Sequence, residues 1–193
     1  LRRSIFDPAT YGRVRFHHRS IQEYLAASRL SRLKEKNLTK RQLNNLLFAE
    51  TYGEKVVIPT MQAIAAWLSI WNKDVCREIL KREPEILILH GDPESLSVEV
   101  RSELIKKYVE AYSQGGWRGL GMPVGEVQRL AHTDLASIIH TYLQQRHENE
   151  EVTEFLLKLV WLGGIQDCAG DAYNAAMDES LGTYSRTLAI KAL

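Results

Sequence analysis

Apolar residues return every three or four positions in one segment after another of this chain, and most segments open on a capping residue and stop at glycine, proline or a polar run. Such a pattern commits the chain to packed helices, because each helix buries its apolar face only against a neighbour. Met61 to Trp71 carries Ile64, Trp67, Leu68 and Trp71 at this spacing, and Ser97 caps what reads as the longest helix, with Val100, Leu104, Tyr108 and Ala111. Asp134 opens another with Leu135, Ile138 and Ile139. Glu150 starts one that carries Val152, Phe155, Leu156 and Leu159 to Gly163-Gly164, and Cys168 to Met177 with Thr183 to Leu193 forms a last pair. From residue 133 the helix starts recur at roughly 15 to 20 residues, a pair period of about 30 to 45. The fold class expected is mostly α: a HEAT-like or ARM-like repeat array, truncated at its C-terminal end so that Leu188 and Leu193 are exposed.

The first forty residues read differently. Val14 and Phe16 alternate with Arg13 and Arg15, the period of a short half-buried strand, and Asp7-Pro8 reads as a turn. Ser20 lies three residues before Glu23, the spacing of a capping box, and opens a helix apolar on two sides (Ile21 and Leu25; Ala26, Leu30 and Leu33), hence expected to be surrounded. Thr39 and Gln42 repeat the capping-box spacing before a helix through Leu43, Leu46 and Leu47 that stops before Gly53. Val56-Val57-Ile58 reads as an extended connector ended by Pro59, Asp74 as the cap of the next helix, and Pro84 as the start of a short apolar helix, Ile86 to Leu89, closed by Gly91. The glycine-rich run Gly115 to Pro123 is the least regular stretch and is expected to be mobile or to contact a partner.

Composition is that of an ordinary folded soluble chain, 45% hydrophobic and 25% charged over 193 residues. No apolar run approaches the roughly 18 residues of a membrane span, so no membrane partner and a cytoplasmic location are expected. Cys76 and Cys168 read as reduced, buried thiols. The net charge of +1 conceals a gradient: residues 1–48 hold 11 Lys/Arg against 3 Asp/Glu, and residues 147–193 hold 3 against 8. Leu1 in place of Met, with a helical pattern running to Leu193, reads as a piece cut from a longer protein.

Chemistry-bearing motifs are sparse. A P-loop needs Gly-x-x-x-x-Gly-Lys-Ser/Thr between a strand and a helix, and the glycines at 115, 116, 119 and 121 lack the lysine and the hydroxyl. His17 and His18, adjacent in an expected strand, point to opposite faces, and His140 and His147 on one helix stand about 10 Å apart along its axis. His132 lies at no ligand spacing. Asp167, Cys168 and Asp171 have no histidine near them in sequence, so helix packing is the reading there. The fragment is expected not to be an enzyme, with no catalytic or metal-binding residues and no cofactor of its own.

One stretch resembles a known family. Phe16, His18, Ser20, Gln22, Glu23, Tyr24, Leu25, Ala26 and Ala27, read as Phe-x-His-x-Ser-x-Gln-Glu-Tyr-Leu-Ala-Ala, are similar to the segment that closes the winged-helix part of NACHT-type STAND NTPases. The helical remainder is similar to the arrays that follow such cores. The resemblance implies residues 1–36 as the end of a winged-helix-like region and 37–193 as a HEAT-like sensor array. It also implies a parent protein that binds ADP or ATP with Mg²⁺ on an intramolecular P-loop ATPase core, and His18 as the position that contacts the β-phosphate of ADP in the resting state. The function implied is a regulatory sensor segment in bacterial antiviral or innate-immune-like defence, with an unknown protein or other trigger on the repeats. The alternative is a HEAT-type scaffold for protein or nucleic acid, with Arg2, Arg3, Arg13, Arg15, Arg29 and Arg32 as the nucleic-acid contacts.

Overall fold

The computed structural model describes residues 5–8, 10–36, 38–115 and 121–193. The protein is mostly helical, with two small two-stranded antiparallel sheets. Contacts divide it into two compact units, Leu1–Ile86 and Leu87–Leu193.

In the first unit β1 (Phe6–Pro8) pairs antiparallel with β2 (Val14–Phe16), with Asp7 opposite Arg15. Asp7-Pro8 is therefore strand rather than turn. The reversal lies later, at Tyr11 and Gly12, both in the left-handed region with φ 60 and 68. The helix α1 (Arg19–Lys36) follows directly. Ser20 is already inside it, and the Glu23 carboxylate pairs with Arg19 at 2.9 Å instead of closing a capping box. At 18 residues α1 exceeds the helix that Ser97 caps. It is not surrounded: it packs on α3 (Gln62–Ser69) and β2, and Ala27 alone among its described side chains is buried while Leu25 stays exposed. Tyr24 meets Trp67 and Trp71 edge-on at 5.3 and 5.5 Å.

Thr39 does form the expected capping box with Gln42, opening α2 (Lys40–Leu47). That helix ends at Leu47, short of the expected stop before Gly53. Phe48–Thr51 forms β3 and Glu54–Val57 forms β4, a hairpin closed by Tyr52 and Gly53 with φ 55 and 80. Positive φ at both central residues gives the turn whose twist matches that of paired strands, so the segment expected as a connector becomes a strand. The helix α4 (Lys73–Arg82) then holds the hairpin through its C-terminal end. Arg82 lies over the Phe48 ring and donates to the Ala49 carbonyl and the Glu78 carboxylate, and buried Glu83 accepts from the Val57 amide at 2.6 Å. The cap of α4 is Asn72, whose Oδ1 accepts from the amides of Asp74 and Val75; Asp74 sits in the first turn and pairs with Lys40. The short α5 (Ile86–Leu89) forms as read.

The second unit gathers around α9 (Glu150–Gly163). It is touched by α6 (Val98–Tyr112), α7 (Val124–Leu130), α8 (Ala136–Leu143), α10 (Ala169–Met177) and α11 (Thr183–Lys191). Every α9 residue from Phe155 to Val160 is buried. Even Lys158 is, its ammonium donating to the Met122 carbonyl at 3.1 Å and lying 5.6 Å from the centre of the Tyr184 ring. Asn149 caps the start and Gly164, at φ 57, turns the chain out of the end. Buried Arg101 donates to the carbonyls of Glu94, Leu96 and Leu130, tying α6 to the end of α7. The glycine-rich run falls largely on residues 116–120, outside the described residues. Among those described, no helix is long and apolar enough to cross a membrane.

Removing one cap and one core ring should separate local from tertiary stabilisation. Thr39→Ala should cost about 1 kcal/mol in a denaturant titration. Phe155→Ala, which removes a fully buried ring 4.5 Å from that of Tyr108, should cost about 4 kcal/mol.

Candidate functional site

The hairpin β1–β2 delivers the chain to the start of α1, and both histidines of the resembling stretch lie in that junction. The strand ends at Phe16, so His17 and His18 do not alternate across a sheet; they occupy the bend before the helix, with ring centres 4.5 Å apart and planes at 80°. Their surroundings set them apart. The His17 amide donates to the Ile5 carbonyl, and its Nδ1–H lies 3.0 and 3.1 Å from the two Asp7 carboxylate oxygens. His17 therefore fastens the hairpin to the junction. His18 is exposed; its carbonyl accepts from the Ile21 amide in the first turn of α1.

Electrostatics at this junction are one-sided. The first turn of α1 holds no acidic residue, although the amide end of a helix carries partial positive charge and favours an anion. Arg13, Arg15, His18 and Arg19 are all exposed around it. Among the described residues, Arg19 is paired with Glu23 and Asp7 is taken by His17. His18 is thus flanked by the exposed guanidinium groups of Arg13 and Arg15, while that of Arg19 is met by Glu23, and the imidazole with Arg13 and Arg15 is an arrangement that suits a phosphate.

The remaining sequence candidates divide. His132 accepts from the Asp134 amide through Nδ1 and so caps a turn. His140 and His147 do not share a helix, since α8 ends at Leu143; the His147 Nε2–H donates to the Tyr142 carbonyl at 2.9 Å. Across 31 residues the fold brings His140 to Asp171, whose carboxylate accepts from Nδ1–H at 2.7 Å while the Gln144 amide lies 3.0 Å from Nε2. No local spacing signals that pair. Among the described residues no group of three or more His, Cys, Asp or Glu side chains is placed to hold a metal ion.

Cys76 and Cys168 are both free and buried, as read from sequence. The Cys168 thiol donates to the Ala136 carbonyl at 3.5 Å, and burial, with Asp171 and Asp167 adding to it, pushes its pKa up to about 11. A thiol held protonated is a poor nucleophile, so Cys168 is packing despite its acidic neighbours.

No family model, curated protein or solved structure matches the chain.

The thiol yields a pH prediction. Because the folded pKa lies above the ordinary 9.0, the unfolded chain releases this proton first as pH rises. Its stabilising contribution is complete below about 9 and is lost as pH climbs through about 11. In a Cys76→Ala background, native Cys168 should stay unlabelled by a maleimide at pH 8, while the denatured chain reacts at once. Rapid labelling of the native chain at pH 8 would contradict the assignment.

Proposed function

We propose that this chain is a regulatory segment of a NACHT-type STAND signalling ATPase, serving bacterial antiviral or innate-immune-like defence, with His18 as its contact to the β-phosphate of ADP. The observation that carries the reading is the placement of His18. It is exposed at the entrance to an 18-residue helix that has no acidic residue in its first turn, beside exposed Arg15 and Arg19, while its neighbour His17 is engaged by Asp7. These residues fit a nucleotide phosphate, which supplies the negative charge that the junction lacks.

In this reading nucleotide chemistry belongs to a P-loop core, with its Mg²⁺, elsewhere in the parent protein, and this segment contributes a latch. His18 and the start of α1 hold the phosphate in the resting state and release it when the segment moves. ADP shifts the equilibrium only to the extent that the resting state makes contacts the active state lacks, and His18 is one such contact. The helical part beyond residue 36 takes the role of a HEAT-like or ARM-like sensor surface, on which a protein or other trigger acts.

An imidazole–phosphate hydrogen bond is charge-assisted and contributes about 1.5–3 kcal/mol. His18→Ala in the parent protein should therefore lower ADP retention at least about tenfold, read as nucleotide extracted after gel filtration. His17→Ala, which loosens the hairpin, should leave more ADP bound than His18→Ala. Unchanged ADP occupancy in His18→Ala removes the latch.

The exposed arginines favour a second reading, a scaffold that binds nucleic acid through Arg13, Arg15, Arg29 and Arg32; Arg2 and Arg3 lie outside the described residues. Duplex DNA binding that weakens steeply with salt, together with ADP retention indifferent to His18, would select it.

A further inference from the structure

Two helix surfaces of this chain are left open with apolar side chains on them, and they carry opposite charge. The first is on α1. Tyr24, against Trp67, and buried Ala27, one turn on, mark the side that meets α3. Gln22, Leu25, Arg29 and Arg32 recur at steps of three, four and three on the opposite side, and all four are exposed. Leu25 is nearly half exposed, and neither Arg29 nor Arg32 makes an ion pair among the described residues. The sequence around this stripe is basic, with 11 Lys/Arg against 3 Asp/Glu over residues 1–48.

The second surface is on α10 and α11. Only residues 178–182 join these helices, so they run antiparallel, and the Arg186 Nε–H donates to the Ala176 carbonyl at 3.0 Å, which sets the start of α11 against the end of α10. Tyr173 and Met177, one turn apart, and Ile190 and Leu193, also one turn apart, are each more than half exposed. Gly170, one turn before Tyr173, has no atom within 4 Å of where a Cβ would stand, so this side of α10 faces open space. Asp178 is offset by Arg146 and Arg186, but Asp167 and Glu179 are exposed and make no ion pair among the described residues. Of the nearby cations, Arg186 is used on a carbonyl and Lys191 lies over the Trp161 ring at 4.7 Å. Residues 147–193 hold 8 Asp/Glu against 3 Lys/Arg.

Exposed apolar groups rimmed by charge mark a docking surface. Each of these surfaces fits itself poorly, because like charges would meet, whereas each fits the other. Both belong to one sequence, so a second copy supplies the complement of either. We propose that this chain associates with itself head to tail, the Tyr173–Met177–Ile190–Leu193 face of one copy docking on the Leu25–Arg29–Arg32 stripe of the next. Such a contact joins two different surfaces and repeats from copy to copy, ending in a ring or an open chain. It does not involve His18 and is independent of the nucleotide latch.

Sedimentation velocity of the 193-residue chain over a range of concentrations tests it. Mass should rise with concentration and fall with added salt. Leu25→Glu alters the stripe and Gly170→Lys the opposite face; both sit at open helical positions and put good helix formers there, so circular dichroism should show the fold unchanged. Each variant alone should weaken association about tenfold or more, and an equimolar mixture should associate again, because each variant keeps the face that the other has lost. A monomer at every concentration overturns the proposal. Association that only one of the two variants weakens also overturns it, since like faces would then be paired. Binding of a duplex oligonucleotide by a chain that stays monomeric, weakened by Leu25→Glu, would assign the stripe to nucleic acid and overturn it too.

Discussion

The second unit depends on one helix that has almost no polar side to turn to water. From Phe155 to Val160 each residue of α9 is buried, so neighbours must close over it from every direction, and α6, α7, α8, α10 and α11 all touch it. Burying a large apolar side chain contributes about 2 kcal/mol, and α9 concentrates several in two turns. A lysine in such a helix is tolerated only because its ammonium reaches the Met122 carbonyl and the Tyr184 ring while its methylenes stay in the core. Arg101 follows the same logic, its guanidinium met by three backbone carbonyls and thereby fixing where α7 ends against α6. These buried cations act as directional ties in a core that is otherwise non-directional.

The first unit is organised by a different constraint, the unpaired backbone of a two-stranded sheet. A hairpin of four-residue strands is marginal alone. The β3–β4 pair is stabilised by α4, whose C-terminal end places Glu83 on the Val57 amide and Arg82 over Phe48. The β1–β2 pair has less cover, with Phe6 and Val14 exposed and Phe6 against Phe16. Its cohesion comes from the strand ladder and from the His17–Asp7 bridge. That bridge also gives His18 its distinct character, because it consumes the one acidic side chain of the hairpin. The basic character of the junction is thus a by-product of how the hairpin is fastened.

Local codes were legible wherever they closed within a few residues. The Thr39–Gln42 capping box, the Ser97 cap, the Gly91 and Gly164 exits and the helical stretches from Gln62 onward are each written in three- to five-residue spacings, and they formed as read. The same reading failed where two local codes competed. Ser20 and Glu23 have capping spacing, but the helix began two residues earlier, at Arg19, and Arg19 captured the carboxylate. Asp74 is a good cap, but Asn72 stood two residues ahead of it. The helix expected to run on towards Gly53 stopped at Leu47, and the connector expected at Val56 to Ile58 became a strand, because Tyr52-Gly53 forms a tight turn, and a tyrosine at positive φ is a weak signal in sequence.

By itself, then, the sequence determined that this chain is mostly helical, where most helices are capped, and that a basic strand-to-helix junction carries two adjacent histidines. Those properties follow from periodicity and from hydrogen bonds between near neighbours. The tertiary structure alone decided which histidine is engaged, that α1 is covered on one side only, and that His140 meets Asp171 across 31 residues and Glu83 meets Val57 across 26. Such pairings depend on distances set by the packing of whole helices, and a side chain has the same local sequence whether or not its partner arrives.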